Sequence, residues 1–308
     1  MVTATPSANE YLSGVHGDVI LTHILGRLDG PALASAACAS SHLRSLSTQE
    51  SLWSDICRAT WPSTDHPRMQ GLISTFPDGP RSFYSDAFPS IPYHPPSSPP
   101  QTINPCPLEL LVSAVDIHYK KQCIFSKVVE TETTTIWELE EELELTWIIV
   151  DPNGHRAANF SSWKPVSVHR HWISGDIQVK FATVMMSVRY SSAKAETEMV
   201  QCGIVVTFGG DEEKGMRQVM KEVSFQVEDM EGICLNGKES LGILQRALGS
   251  GQRRRGDWEE WRGLYEEYVK RKEEMKEWKM SREVRLDALC TALVVSIVAA
   301  FSTFLFFC

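Results

Sequence analysis

At 308 residues the chain is long enough for two domains or for one large one. Its net charge of −9 is modest and no broad basic surface is evident, which argues against nucleic acid as a partner. Its 8 cysteines are scattered, with no Cys-x-x-Cys pair and no regular spacing, so neither a zinc site nor a disulfide framework follows. Met1 to Glu10 is polar and lacks an apolar signal core, so the thiols are expected to be reduced and cytosolic.

The first patterned segment runs from Val15 to Cys38. Ile20, Ile24 and Leu28 recur every four residues, with Leu21 and Leu25 alongside, which predicts a helix with a broad apolar stripe. Asp29 and Gly30 end that helix, and Pro31 opens the next, where its missing N–H costs nothing. Ser47-Thr-Gln-Glu50 has the capping-box spacing and is expected to open a further helix carrying Leu52, Trp53 and Ile56. A unit of about forty residues can barely bury a core alone, so these apolar faces need a partner. A helical hairpin that caps the next domain would meet that need equally.

The order of these residues resembles an F-box. Asp18, Val19-Ile20, Ile24-Leu25, Arg27-Leu28, Leu33, Cys38 and Leu52-Trp53 match the family pattern, and the run Leu28 to Ala34 looks like one group of plant F-box proteins. The family's Leu-Pro is replaced by Val15-His16 or His16-Gly17, depending on alignment, and the gap before Ile24-Leu25 is one residue longer than the pattern. The resemblance implies a segment that binds a Skp-type adaptor, which links to a cullin. The residues it implies for that contact are Val15, Val19, Ile20, Leu21, Ile24, Leu25, Leu28 and Leu33. It further implies a substrate-receptor subunit of an SCF ubiquitin ligase, with no catalytic residue and no cofactor of its own. Catalysis would come from holding the captured protein near an activated ubiquitin carried by another subunit.

Prolines are dense from Pro62 to Pro107 and peak between Pro89 and Pro100, a composition that favours extended backbone, so a semi-rigid spacer is expected there. Within it, Arg81 to Phe88 is expected to form a short helical turn packed on the N-terminal helices.

After Leu108 the period becomes two. Leu143 to Ile149, Ile177 to Phe181, Val200 to Phe208 and Val223 to Val227 alternate apolar with polar residues, and Leu111 to Tyr119 and Cys123 to Val129 are less regular strand candidates. Asp151-Pro-Asn-Gly154 and Gly209-Gly-Asp211 supply turns. Strands with short connections and no intervening helices predict an antiparallel sandwich or barrel. A short helix is expected at Lys238 to Leu248, and Asn159 to Lys164 reads either as the lining of a binding surface or as a core tryptophan with turn serines.

From Asp257 the period is helical again. Trp258, Trp261, Tyr265, Tyr268, Lys272 and Met275 fall three and four apart, an aromatic stripe suited to packing on the β-domain, to a membrane interface or to a short coiled coil. From Ala288 to Cys308 no charge occurs, and 21 helical residues rise about 30 Å, the thickness of a bilayer core. Basic residues from Lys270 to Arg285 precede that span, which keeps the rest of the chain cytosolic. A span at the C-terminus is expected to insert as a single-pass tail anchor. Without insertion, the same chain would be cytoplasmic or nuclear.

The expected organisation is therefore a multidomain α+β chain: a helical F-box at 12–61, a linker at 62–107, a β-rich recognition domain at 108–249, an amphipathic helix at 257–285 and a transmembrane tail at 286–308. No phosphate loop or nucleophile elbow is present. His169-Arg-His171 offers two ligands without a third, and Glu138 to Glu144 reads as a solvated edge. The alternative function is a membrane-tethered lectin-like or protein-binding module without ligase activity. The protein to be recruited is not legible.

Overall fold

The structure, a computed structural model, describes residues 15–88, 111–119, 121–124, 140–191, 194–211, 217–249 and 258–307. An N-terminal helical bundle opens with three short segments, Gly17–Val19, Ile20–Ile24 and Leu25–Arg27. It continues through α1 (Gly30–Ala39), α2 (Ser41–Ser47), α3 (Glu50–Thr60), a tight turn at Pro62–Asp65, α4 (Pro67–Ile73) and α5 (Pro80–Ala87). The Asp29 carboxylate accepts from Ala32 N–H at 2.8 Å and caps α1, with Pro31 in the first turn. The Ser40 hydroxyl caps α2 by accepting from Leu43 N–H at 3.2 Å. The capping box expected at Ser47 does not form. α3 starts after Gln49 without a side-chain cap, and buried Ser47 ends α2, its carbonyl accepting from Trp53 Nε1–H at 2.7 Å.

The expected spacer is folded over its first part. Pro62, Pro67 and Pro80 each sit in the first turn of a helical segment, where proline is tolerated, so here the prolines start helices instead of extending the chain. Trp61, Phe83 and Tyr84 are buried, and their rings meet at 5.1 Å (Trp61–Tyr84) and 5.9 Å (Trp61–Phe83). The turn expected at Arg81 to Phe88 is α5, and Phe88 stacks on Tyr84 at 5.0 Å. The proline peak at Pro89 to Pro100 lies outside the described residues.

Among the described residues, eight strands form two antiparallel four-stranded sheets. The first has the order β2-β1-β3-β4, from β1 (Val112–Tyr119), β2 (Gln122–Cys123), β3 (Leu143–Asp151) and β4 (Arg156–Asn159). The second has the order β5-β6-β7-β8, from β5 (Ser167–Arg170), β6 (Ile177–Ser191), β7 (Lys194–Asp211) and β8 (Arg217–Glu228). Ile117, Leu143 and Leu145 of the first sheet pack with Ile177, Phe181, Ile204 and Val206 of the second, so the sheets form a sandwich. At one end α6 (Gly237–Gly249) adds Ile243, Leu244 and Leu248 to a core shared with Ile149, Ala158 and Cys202. The aromatic residue in the core of the Asn159–Lys164 segment is Phe160. Trp163 is only half-buried, has φ 68° and faces Phe88 at 6.1 Å. The 125–139 part of the Cys123 strand candidate is not among the described residues.

The first sheet is buried on both faces. Side chains of β3 alternate between the sandwich and the helical bundle, so Ile149 joins the sandwich core while Ile148 and Val150 join Ile20, Leu25, Trp61 and Phe83 in one cluster. The bundle and the sheet therefore share a core. Polar contacts close this seam. Ser63 N–H and Oγ–H donate to the Asp116 carboxylate at 2.8 and 2.6 Å. Asp86 accepts from Arg156 Nε at 2.7 Å and from Ala157 N–H at 3.2 Å.

α7 (Trp258–Phe307) is one unbroken helix. Its first half lies on the outer face of the second sheet, where fully buried Tyr268 packs with Val184, Met199 and Met230 and donates to the Asp229 carbonyl at 3.0 Å. The aromatic stripe thus packs on the β-domain. The second half stands clear: the helix contains an 18-residue window apolar enough to cross a membrane, and none of that window is buried.

Asp116 gives a test of the seam. It is 2% exposed, and burial pushes its carboxyl above the usual carboxylate range, partly opposed by the Ser63 bonds and by His118. A carboxyl with a raised folded-state pKa contributes stability that is complete below the unfolded value and is lost as pH rises through the folded one. Asp116→Asn should remove this part of the pH dependence and match or exceed the parent at pH 7. Asp116→Ala should lose on the order of 1–3 kcal/mol by orphaning the Ser63 N–H. Denaturant titrations of the full chain in detergent at pH 4 and pH 7 would measure both.

Candidate functional site

The opening run of the bundle does not follow the period of four that its residues suggest. Ile20–Ile24 is a π-turn, and Leu25 N–H bonds to the carbonyls of both Ile20 and Leu21. A π-turn brings residues five apart onto one face and takes up one extra residue inside a helix. The additional residue before Ile24-Leu25 is held here. Ile20 and Leu25, five apart, are therefore both in the core, at 0% and 1% exposure. Val19 and Ile24, also five apart, both face solvent at 45%. The stripe expected along Ile20, Ile24 and Leu28 is accordingly split, with Ile20 inside, Ile24 outside and Leu28 half-buried.

The eight residues implied for adaptor contact divide into two groups. Val15, Val19 and Ile24 are exposed apolar residues, Val19 and Ile24 on one side of the turn. Ile20, Leu25 and Leu33 are closed inside this chain's own core, and Leu21 and Leu28 pack against its rim. The start of α1 is closely packed. A Cβ on Gly30 would lie 2.3 Å from the Tyr84 ring, so only glycine lets α5 approach the start of α1 so closely. The sequence pattern misses this contact, because Tyr84 lies in the proline-dense stretch and gives no local signal of its long-range role.

The other residues singled out have structural roles. His169 Nε2 is 3.0 Å from Gln178 Oε1, and His171 Nδ1 accepts from Ser174 N–H at 3.3 Å. Among the described residues, no group of three His, Cys, Asp or Glu could hold a metal ion. Cys57 is buried, its thiol pushed up to about 12 by that burial, and it donates to the Pro80 carbonyl at 3.6 Å. The tip of the β5–β6 hairpin, absent from the sequence reading, exposes Trp172 at 87% and Ile173 at 71%. Ser174-Gly175-Asp176 was the turn signal available there, and Gly175 has φ 72°.

A small helical bundle that shares its core with an antiparallel sandwich, followed by a long helix with an apolar half, is a multidomain α+β architecture. An F-box-like family model matches residues 18–59. The probable F-box protein At2g36090 of Arabidopsis thaliana is 40% identical over 276 aligned positions, covering 79% of this chain and 76% of that protein. The F-box protein At3g44326 of the same plant is 36% identical across 96% of this chain and 91% of its own length. The F-box protein At2g27310 is 35% identical across 94% of this chain and 95% of its own. This chain belongs to the F-box protein family. No solved structure matches it significantly.

Deleting His23 tests the register. The deletion brings Val19 to Ile24 and Ile20 to Leu25 into spacings of four, so a plain α-turn would keep the same inside and outside faces. Thermal stability should stay within about 1 kcal/mol of the parent, well below the 2–5 kcal/mol typical of losing one large core side chain. A helix that used the period of four from the start would instead have Leu25 and Leu28 turned by about 100° away from the core, and would lose stability sharply.

Proposed function

We propose that this chain is a substrate-receptor subunit of an SCF-type ubiquitin ligase, anchored to a membrane with its F-box in the cytosol. The observation that carries the reading is the exposure of Val15, Val19 and Ile24 on a segment that matches the F-box family. Exposed apolar side chains on a rigid backbone are what a partner's apolar groove can cover without first unfolding anything. Leu21 and Leu28 are half-buried and pack against the core beneath these side chains. The partner of this face is a Skp-type adaptor, which joins the chain to a cullin. F-box proteins are generally non-catalytic adaptors, and the chemistry belongs to other subunits of the assembly. The sandwich is the part that captures the protein to be modified.

The anchor reading rests on α7. A helix apolar on every side is stable in water only if protein surrounds it, whereas the apolar window here has no protein around it. In a bilayer the same side chains are solvated by lipid, and the hydroxyls of Thr291, Ser296 and Ser302 are already bonded to carbonyls one turn back.

Two measurements test the two halves of the reading. Val19→Asp combined with Ile24→Asp places charges on the exposed side of the turn and leaves the core intact, so the variant should fold and lose adaptor capture by tenfold or more in a pull-down with a Skp-type protein. Unchanged capture by a folded variant removes the ligase assignment and leaves a tethered binding module. Separately, a chain ending at Arg285 should become soluble in alkaline carbonate while the full chain stays with the membrane pellet. Release of the full chain would rule out the anchor.

A further inference from the structure

The joint between sandwich and anchor is stiffer than a tether requires. α7 runs as one helix from the docked half into the apolar half, and after Gly263 it contains neither glycine nor proline. The docked half is fixed by buried Tyr268, by Met275 in the same cluster and by the Lys272–Glu228 ion pair at 3.2 Å, whose side chains are 17% and 13% exposed. Further along, Lys279 pairs with Glu231. Glu231 belongs to the loop 229–236, which is ordered in its own right: the Asp229 carboxylate accepts from Glu231 N–H and Ile233 N–H, each at 2.9 Å. A Cβ on Gly232, at φ 80°, would lie 3.1 Å from Lys272, so the loop also sits tightly on the helix. It carries Ile233, an apolar side chain 56% exposed.

The spacing sets how far this loop stands from lipid. From Lys279 to Ala288, the first residue of the uncharged run, the helix rises about 14 Å. The interfacial layer of a bilayer is roughly 5–8 Å deep on each side, and spanning helices tilt by about 20° on average. The 229–236 loop is thus within about one side-chain length of the headgroups. The residues between have the character of an interface. Trp278 is 61% exposed with the Arg282 guanidinium 5.6 Å from its ring, and Met280 and Val284 are 65% and 67% exposed. Lys276, Arg282 and Arg285 can extend their charged ends to lipid phosphates while their stems lie along the helix.

We propose that α7 is a rigid strut that holds the Glu228 end of the sandwich, with its 229–236 loop and the β6–β7 hairpin that runs on past Glu228 to Ser191, toward the lipid headgroups, with Ile233 and Trp278 close to the bilayer surface. The strut rests on the anchor reading above. It fixes which end of the sandwich is buried at the membrane and which faces the cytosol. Ile177 pairs with Phe208, and Phe208 with Met220, so the Trp172–Ile173 hairpin tip lies at the end of the second sheet away from Glu228. Eight residues of β8 separate those ends, about 26 Å of strand. A captured protein therefore meets this receptor within a few nanometres of the bilayer and from the hairpin side. Membrane proteins with cytosolic segments, and proteins bound at the membrane surface, are the class of client this geometry admits.

The test uses the full chain in phosphatidylcholine vesicles with nitroxide on the lipid headgroups. A fluorescent label is placed at Ile233→Cys or, as the far-end control, at Ile173→Cys, with the other accessible cysteines replaced by serine. The label at 233 should be quenched severalfold more than the label at 173. Inserting a flexible Gly/Ser segment of roughly twenty residues after Ser281, with an end-to-end distance of about 25 Å, should bring the two to equality. Equal quenching in the parent overturns the strut, and so does quenching at 233 that survives the insertion. Carbonate extraction of the same vesicles separates the two readings: equal quenching in retained protein defeats the strut alone, and released protein defeats the anchor and the strut with it.

Discussion

Burial of the first sheet on both faces is the constraint on which the rest of the molecule depends. A sheet in a two-layer sandwich normally keeps one wet face, and its strands alternate accordingly. Here β3 buries Leu143, Leu145 and Ile149 against the second sheet and Ile148 and Val150 against the helical bundle. Each fully buried side chain of this size is worth roughly 1.5–3 kcal/mol. The outer face of that sheet supplies core that the short N-terminal helices cannot assemble alone. The bundle in turn covers apolar surface that the sandwich would otherwise expose. Neither unit is complete by itself, and the helical bundle and the sandwich are consequently held in one orientation.

The same logic orders the exposed side chains of the first helical segments. Once Ile20 and Leu25 are committed to the shared core, the residues between them must fit into one turn, and the π geometry is the way to fit them. Its by-product is the exposure of Val19 and Ile24, five apart on the opposite side of the turn. Asp116 and Asp86 act at the seam in a complementary way. One carboxylate reaches from the sheet to Ser63 and the other from α5 to Arg156, so each side of the joint offers an acceptor to donors on the other.

Much of the far end was written in local pattern. The alternating rows gave β3, β6, β7 and β8 their places, and the aromatic stripe from Trp258 to Met275 gave α7 its docked face. The two strands that escaped, β4 and β5, are four residues each. β4 holds Ala157 and Ala158 buried on opposite faces, so it shows no alternation to read. The proline-dense stretch misled for a related reason. Proline at the first turn of a helix and proline in an extended spacer look alike in sequence, and the decision rests on whether Trp61, Phe83 and Tyr84 find a core to enter.

By itself the sequence determined the order of helical and β segments, the F-box resemblance and the uncharged terminal helix, because these depend on residues near one another along the chain. Only the tertiary structure decided which hydrophobics of the first helix face out, since periods of four and of five are both available to Ile20, Ile24 and Leu25 until a core selects one. It alone decided that the bundle extends to Ala87 and that one sheet serves two cores. These outcomes turn on contacts between residues tens of positions apart, such as Gly30 with Tyr84 and Ser63 with Asp116, and no local pattern encodes them.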